Sequence, residues 1–134
     1  MTSKITYNGD LRTTCEHVRS GNTFMTDAPV DNHGLGEAFS PTDTVATGLG
    51  TCMITVMGLK AKSLGVDLVG SEVGITKHMA ADPRRISRIE VTLRLPAKVS
   101  EKNRKILENT ANTCPVHYSL HPDIEKEIQF LWEL

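Results

Sequence analysis

The chain has 134 residues, 39% of them hydrophobic and 23% charged, with a formal net charge of −1. These values are ordinary for a globular protein, so we expect one domain over residues 1–134, with neither nucleic acid nor an anionic membrane surface as a partner. The sequence contains no signal peptide and no apolar run near the ~20 residues of a membrane span, which predicts a cytoplasmic protein.

The N-terminal segment predicts a β-hairpin over residues 4–27. KITYNGDLRTTCEHV alternates loosely between polar and apolar residues, RSGN is a polar turn signal, and TFMTD resumes the extended pattern. Cys15 falls in a predicted strand, where packing is its simplest role. The next segment, APVDNHGLGEAFS, is predicted to be a loop, and its length suggests a functional role.

SPTDTVATGLGTCMITVMGLKAKSLG predicts a long helix. Ser40 is suited to cap its N-terminus, Pro41 to its first position and Gly65 to a left-handed C-terminal cap. One apolar stripe with spacings of three and four is expected to be buried: Val45, Leu49, Cys52, Val56 and Leu59. A glycine inside a helix costs about 1 kcal/mol relative to alanine, so three of them suggest that another helix approaches closely: Gly48, Gly50 and Gly58.

The remaining segments predict two strands around the turn ADPRR, a helix that begins at Ser100, a short helix opened by Pro115, and a closing strand in EKEIQFLWEL. This order predicts an α+β fold with helices packed on a largely antiparallel sheet.

Cysteine is the residue type that most suggests chemistry. Three cysteines without a secretory signal argue against a disulfide framework, which leaves redox chemistry or metal binding as possible roles. Cys52 lies about three turns from the helix start, beyond the reach of the helix-terminus field. A thiol buried among apolar residues is inert, so a nucleophilic Cys52 would need a cation such as Arg12 or Arg19. A packing role is the simpler interpretation of its local sequence.

Cys114 is predicted to lie at or beside the N-cap of the short helix, where free backbone N–H groups favour a thiolate. A capping or core role is equally compatible with this position. His117, one helical turn later, either tunes the thiol or is an ordinary polar residue. Cys114 and His117 are also the one close-spaced pair of zinc-ligand types, which makes a zinc-stabilised domain a third and weaker hypothesis.

The run FSPTDTVATGLGTCM, followed 62 positions after Cys52 by the cysteine of TCPVH, resembles the OsmC/Ohr family of osmotically inducible and organic hydroperoxide resistance proteins. The likeness includes the N-terminal hairpin, TDAP and the closing strand, and it is nearest to the broad OsmC-like branch. It implies an intertwined homodimer with antiparallel sheets packed on long central helices. Such a dimer would account for the helix glycines.

The resemblance also implies a reaction. The Cys52 thiolate attacks the O–O bond of an organic hydroperoxide, Cys114 resolves the sulfenic acid as a disulfide, and a dithiol reductant reopens that disulfide. No metal or organic cofactor is required. An apolar interface pocket would suit a fatty or aromatic peroxide, and four residues are expected to line it: Leu49, Met53, Met57 and His117.

The activating residues match the family only in part. Family peroxidases hold the thiolate with an arginine from the N-terminal hairpin, for which Arg12 is the preferred match and Arg19 the second. They orient this arginine with a glutamate ten residues before the cysteine, a position that Thr42 occupies here. Asp43 or the loop residue Glu37 could replace that glutamate. The departure leaves open an alternative, a non-enzymatic small-molecule-binding protein with weak or no peroxidase activity.

Overall fold

The computed structural model describes all residues, 1–134. The chain divides into two compact units, residues 1–45 and 46–134, which we call unit 1 and unit 2. The strands and helices are β1 (Ser3–Gly9), β2 (Arg12–His17), β3 (Thr23–Asp27), α1 (Pro41–Leu64), β4 (Glu72–Ala80), β5 (Arg85–Leu95), α2 (Glu101–Ala111), α3 (Pro115–Ser119) and β6 (Glu125–Trp132). A 3-10 turn, Val30–Asn32, lies between β3 and α1.

Unit 1 contains a three-stranded antiparallel sheet in the order β1-β2-β3. The prediction of a two-stranded hairpin over residues 4–27 is therefore wrong: its first strand is two strands, β1 and β2, joined by an additional turn. This turn lies at Asp10 and Leu11, which both have positive φ, 53° and 62°. Two consecutive residues with positive φ are typical of the two-residue turns that join twisted antiparallel strands.

Unit 2 contains a second three-stranded sheet in the order β4-β5-β6. β4 and β5 are antiparallel, whereas β6 runs parallel to β5 because α2 and α3 lie between them in the chain. The α+β class predicted from the sequence is confirmed, with one parallel pair in an otherwise antiparallel arrangement.

The limits of α1 agree with the sequence prediction. The Ser40 hydroxyl accepts the backbone N–H of Asp43 at 3.0 Å, and Pro41 is the first helical residue. At the other end Gly65 has φ 66°, and Val66 donates its backbone N–H to the Ala61 carbonyl at 2.9 Å. These features form a Schellman C-terminus.

By length and composition α1 is also long and apolar enough to cross a membrane, contrary to our expectation for this sequence. An 18-residue window of the helix has a mean hydropathy of 1.2, and 33% of that window is buried. The core helix of a globular protein meets the same criterion, and α1 contributes to a packed core.

The buried face of α1 differs from the predicted stripe. Val45 and Leu59 are 44% and 71% exposed. The buried positions are Ala46, Leu49, Gly50, Met53, Met57 and Ala61. Apolar residues occur on both sides of this helix, so the 3.6-residue period fits two different stripes.

Of the three helix glycines, only Gly50 has a close neighbour in unit 2, and that neighbour is a sheet. A Cβ on Gly50 would lie 2.8 Å from Ile75 Cδ1 and 3.1 Å from Val73 Cγ1, both on β4. A Cβ on Gly48 or Gly58 would have no neighbour within 4 Å. Gly50 therefore lets α1 pack closely on β4, whereas the other two glycines lie on an open face.

Candidate functional site

Arg12 lies between two carboxylates in unit 1. It is the first residue of β2, and the register of β2 with β3 places it directly opposite Asp27. Its Nη2 is 3.3 Å from Asp27 Oδ2 and 2.5 Å from Glu37 Oε2. Directly opposed residues on antiparallel strands are close enough for such a contact. We call Arg12, Asp27 and Glu37 the arginine cluster.

Asp27 is the buried member of the arginine cluster. It is 1% exposed, whereas the side chain of Glu37 is 65% exposed. Asp27 Oδ2 accepts the backbone N–H of Glu37 at 3.0 Å, and its carboxylate also interacts with the Leu35 N–H. The Glu37 N–H, and after it Arg12, hold the pKa of Asp27 below its ordinary value, although burial opposes them. The contacts with Glu37 and Asp27 raise the pKa of Arg12, which stays a cation.

The loop that supplies Glu37 is folded back on the end of β3. A Cβ on Gly34 would lie 1.7 Å from the Ala28 carbonyl oxygen, so this close approach requires glycine. The Gly36 N–H donates to the same carbonyl at 3.2 Å. This return of the loop brings the residue after Gly36 to the arginine.

Asp43 and Thr42 occupy the first turn of α1. Asp43 Oδ2 accepts the backbone N–H of Ser40 at 2.9 Å, and the Ser40 hydroxyl in return accepts the Asp43 N–H. This is a reciprocal capping box with aspartate in place of glutamate. The Thr42 hydroxyl lies 3.2 Å from the Ser40 hydroxyl. The structure thus gives Asp43 a defined part in starting the helix.

Unit 2 brings Cys52 and Cys114 together. The two thiols lie close enough for Cys52 to raise the pKa of Cys114, although 62 positions separate them in the sequence. Cys52 is half-buried on α1, and Cys114 is fully buried in the core. Both are free thiols. We call these two residues the thiol pair.

Cys114 caps α3, as its position before a proline predicts. It has the extended conformation that a residue before proline favours (φ −67°, ψ 146°), and its Sγ accepts the backbone N–H of His117 at 3.3 Å. The backbone N–H groups at this position favour a thiolate, as expected, but they do not decide the state of the thiol. Burial, and to a smaller extent Cys52, raise the pKa of the Cys114 thiol, and the backbone N–H groups only partly offset this rise. Cys114 is a neutral thiol near pH 7.

Comparison with protein families decides where the chain belongs. A model of OsmC-like proteins matches residues 34–129, a range that contains the thiol pair and Glu37. The chain belongs to the OsmC-like family. A comparison with curated proteins finds no match.

Solved structures agree with this OsmC-like assignment. A Psychrobacter arcticus protein, named as a candidate osmotic stress induced and detoxification response protein, is 50% identical with a TM-score of 0.94, over 97% of this chain and 95% of its own. An organic hydroperoxide resistance protein OsmC from Legionella pneumophila has 14% identity and a TM-score of 0.76, with coverages of 98% and 97%. An organic hydroperoxide resistance protein from Elizabethkingia anophelis has 17% identity and a TM-score of 0.77, with coverages of 99% and 97%. The last two show the same fold.

The apolar residues that were expected to line a substrate pocket lie in the packed core of this OsmC-like chain. Leu49, Met53 and Met57 are all 0% exposed and form the core of unit 2 together with β5. In this arrangement a ligand would reach them only by displacing packed side chains. His117 is half-buried on α3, where its ring meets that of Tyr118 edge to face at 6.3 Å. Burial and the charge of Lys126 lower the pKa of His117.

Of the two candidate arginines, Arg12 is the one in contact with acids, whereas Arg19 lies in the exposed turn between β2 and β3. Glu37 contacts Arg12, as an orienting acid in the loop would. Asp27 is the residue that sequence reasoning missed. Its signal was the segment TDAP, in which the strand β3 ends on a charged residue just before the loop.

Cys15 lies in β2 on one face of the unit 1 sheet. It is half-buried and borders a cavity of about 540 Å³, and Thr13 Oγ1 lies 3.8 Å from its Sγ. The register places Ile5 and Phe24 beside it on the neighbouring strands, and both are exposed. This face therefore presents a row of apolar side chains.

Proposed function

We propose that this OsmC-like protein is a thiol-dependent peroxidase that reduces organic hydroperoxides, with Cys52 as the peroxidatic and Cys114 as the resolving cysteine. The observation that carries the proposal is the proximity of the two thiols of the thiol pair, which lie close enough for Cys52 to affect the pKa of Cys114. Family membership supports it, as do the names of two structural neighbours, which are organic hydroperoxide resistance proteins.

The reaction proceeds in three balanced steps. The Cys52 thiolate attacks one peroxide oxygen, the O–O bond breaks, and the alkoxide leaves and takes up a proton to become an alcohol. The Cys114 thiol then attacks the sulfur of the Cys52 sulfenic acid, which forms the disulfide and releases water. A dithiol reductant exchanges with this disulfide, regenerates both thiols and is itself oxidised. The thiol reductants of the cytoplasm supply such a dithiol, so we also propose that location.

The surroundings of the two cysteines favour this assignment of roles over the reverse. Cys52 is half-buried and therefore within reach of a substrate, whereas Cys114 is fully buried. Because the raised pKa of Cys114 keeps it protonated, it is a poor first nucleophile. A neutral thiol close to Cys52 is well placed to attack the sulfenic acid that forms there.

Arg12 is the cation that we propose for the Cys52 thiolate, supplied by the same chain or by a partner subunit. Its Nη2 contacts both Asp27 and Glu37, which fixes the orientation of the guanidinium. These contacts also raise the pKa of Arg12, so the group keeps its positive charge. A positioned guanidinium lowers the energy of a nearby thiolate and of the departing alkoxide.

We propose a homodimer as the active species. The buried residues of unit 1 are the polar Thr26, Asp27 and Ser40, whereas Ile5 is 65% and Phe24 48% exposed. A unit of 45 residues with so little buried apolar surface needs a further surface for stability. A second copy of the chain would cover the apolar row on its sheet. Light scattering that gives a monomer mass at micromolar concentration would contradict this part of the proposal.

Mass spectrometry after one equivalent of cumene hydroperoxide tests the enzyme. We expect a loss of two hydrogens that maps to a Cys52–Cys114 peptide, an accumulated sulfenic acid at position 52 in Cys114→Ser, and no reaction in Cys52→Ser. Cys15→Ser is the matched control and keeps the wild-type product. An unmodified wild-type protein would contradict the peroxidase.

Stopped-flow kinetics tests the class of peroxide. The reduced protein should react faster with cumene hydroperoxide than with hydrogen peroxide, because Cys52 lies among apolar side chains of α1. Equal, slow rates for both would remove the preference for organic substrates.

The alternative is a non-enzymatic small-molecule-binding protein. Two observations favour it: Thr42 stands where family peroxidases have a glutamate, and Arg12 is already paired with two carboxylates. If this alternative holds, peroxide treatment leaves all three thiols reduced while an apolar ligand still binds.

A further inference from the structure

We propose that Asp27 is the residue that positions Arg12, by fixing both the guanidinium and the loop that carries Glu37. This inference rests on the proposed function, because positioning matters only where Arg12 serves Cys52. It assigns the task of the missing helix glutamate to a strand aspartate, with Glu37 as a second and exposed partner.

The first argument is the rigidity of the position that Asp27 holds. It is a cross-strand neighbour of Arg12, it is 1% exposed, and its Oδ2 lies 3.3 Å from Arg12 Nη2. The backbone N–H of Asp27 also donates to the Phe39 carbonyl at 2.9 Å. A carboxylate held by a sheet on one side and by the loop on the other has little freedom to follow the arginine. The arginine instead adopts the position that the carboxylate sets.

The second argument is that one carboxylate oxygen joins the loop to the arginine. Asp27 Oδ2 accepts both the Glu37 N–H at 3.0 Å and the Arg12 guanidinium. Glu37 then reaches back to the same Arg12 Nη2 at 2.5 Å. The three groups form a closed ring of contacts. The loss of Asp27 removes the buried partner of both others and leaves only the exposed Glu37–Arg12 pair, whereas the loss of Glu37 leaves the buried Asp27–Arg12 contact in place.

The experiment compares four variants, with the pH midpoint of Cys52 alkylation by iodoacetamide as the main measurement. Arg12→Gln and Asp27→Asn should raise this midpoint, and Glu37→Gln should raise it less. Glu16→Gln is the matched control for Asp27→Asn and Glu37→Gln, because it makes the same change in net charge on the same sheet outside the arginine cluster. Its midpoint should equal that of the wild type. A displaced guanidinium should also lower kcat/KM for cumene hydroperoxide by about tenfold to a hundredfold.

Amide hydrogen exchange separates positioning from simple stability. The Leu35 and Glu37 amides should exchange slowly in the wild type and fast in Asp27→Asn, while the β4–β5 amides of unit 2 stay protected. Fast exchange of both loop amides in the wild type would overturn the inference, and this measurement also decides it if Asp27→Asn fails to fold.

The outcomes separate the inference from the proposed function. A raised midpoint in Arg12→Gln with an unchanged one in Asp27→Asn overturns the role of Asp27 and leaves the peroxidase in place. Unchanged midpoints in both variants overturn the role of Asp27 and of Arg12 together. A wild type that reduces no organic hydroperoxide removes the proposed function, and a midpoint raised in Asp27→Asn but not in Glu16→Gln then still supports the positioning of Arg12.

Discussion

Gly50 of α1 and Ile75 of β4 approach so closely that a single added carbon would collide. A Cβ on Gly50 would lie 2.8 Å from Ile75 Cδ1, and Val73 Cγ1 would be 3.1 Å away. This contact explains why the residue two positions before Cys52 is glycine despite its cost to the helix. It also sets the depth at which α1 packs on the sheet of unit 2.

Substitution of Gly50 should therefore destabilise the protein relative to an otherwise equivalent glycine. Gly50→Ala and Gly58→Ala both gain helix propensity, about 1 kcal/mol. Only Gly50→Ala adds a methyl group where side-chain atoms of β4 already lie, since a Cβ on Gly58 has no neighbour within 4 Å. We expect Gly50→Ala to be less stable than Gly58→Ala by about 1–3 kcal/mol in urea denaturation, because overpacking costs that much. Equal midpoints and slopes for the two variants would contradict the close packing.

The sequence predicted the limits of α1 better than its orientation. Ser40, Pro41 and Gly65 act through local backbone chemistry, so their roles in starting and ending the helix are visible in the chain itself. Which side faces the sheet depends on packing partners. Val45 and Leu59 fit an apolar stripe as well as the buried residues do, yet both are exposed.

The same distinction applies to the candidate site. The pairing of a helix cysteine with a distant Cys-Pro was visible as a motif, and so was an arginine in the N-terminal segment. Asp27 was missed because a buried carboxylate is stabilised by contacts that only folding creates: a cross-strand arginine and the N–H groups of a returning loop. The sequence also left the state of Cys114 open. Its capping position is local, but the burial that raises the pKa of its thiol is not.

The raised pKa of Cys114 should make it the slowest of the three thiols to alkylate. Iodoacetamide reacts with the thiolate, and burial holds the pKa of Cys114 above its ordinary value of 9.0. Cys15 and Cys52 are half-buried and within easier reach. Peptide mapping at pH 8 should show modification at Cys52 and Cys15 well before Cys114. The difference between the alkylation rate of Cys114 and those of the other two cysteines should become smaller as the pH rises. In urea the three rates should become similar. Early modification of Cys114 in the folded protein would contradict its burial and protonation.

Acid should destabilise the protein through Asp27. Its pKa is lowered in the folded state, so the stability that it contributes is present above the ordinary value of 3.8 and is lost as the pH falls through the lower folded value. The free energy of unfolding of the wild type should therefore fall as the pH drops below the ordinary value of 3.8. Asp27→Asn should be less stable at pH 7 and should change less over this range, so that the two curves converge in acid. Glu16→Gln, measured as the control, should stay parallel to the wild type. Parallel curves for Asp27→Asn would contradict the lowered pKa.

Asp43 should matter to the stability of α1 through its capping contact. Its carboxylate accepts the Ser40 N–H at 2.9 Å, and it also places a negative charge in the first helical turn. Asp43→Ala should lose about 1 kcal/mol in urea denaturation, because it removes both contributions. Asp43→Asn keeps an oxygen that can accept the Ser40 N–H, so it should lose less than half as much. If both variants are as stable as the wild type, the capping box contributes nothing. If Asp43→Asn keeps its stability but reduces peroxide more slowly, Asp43 has a catalytic role in addition to capping.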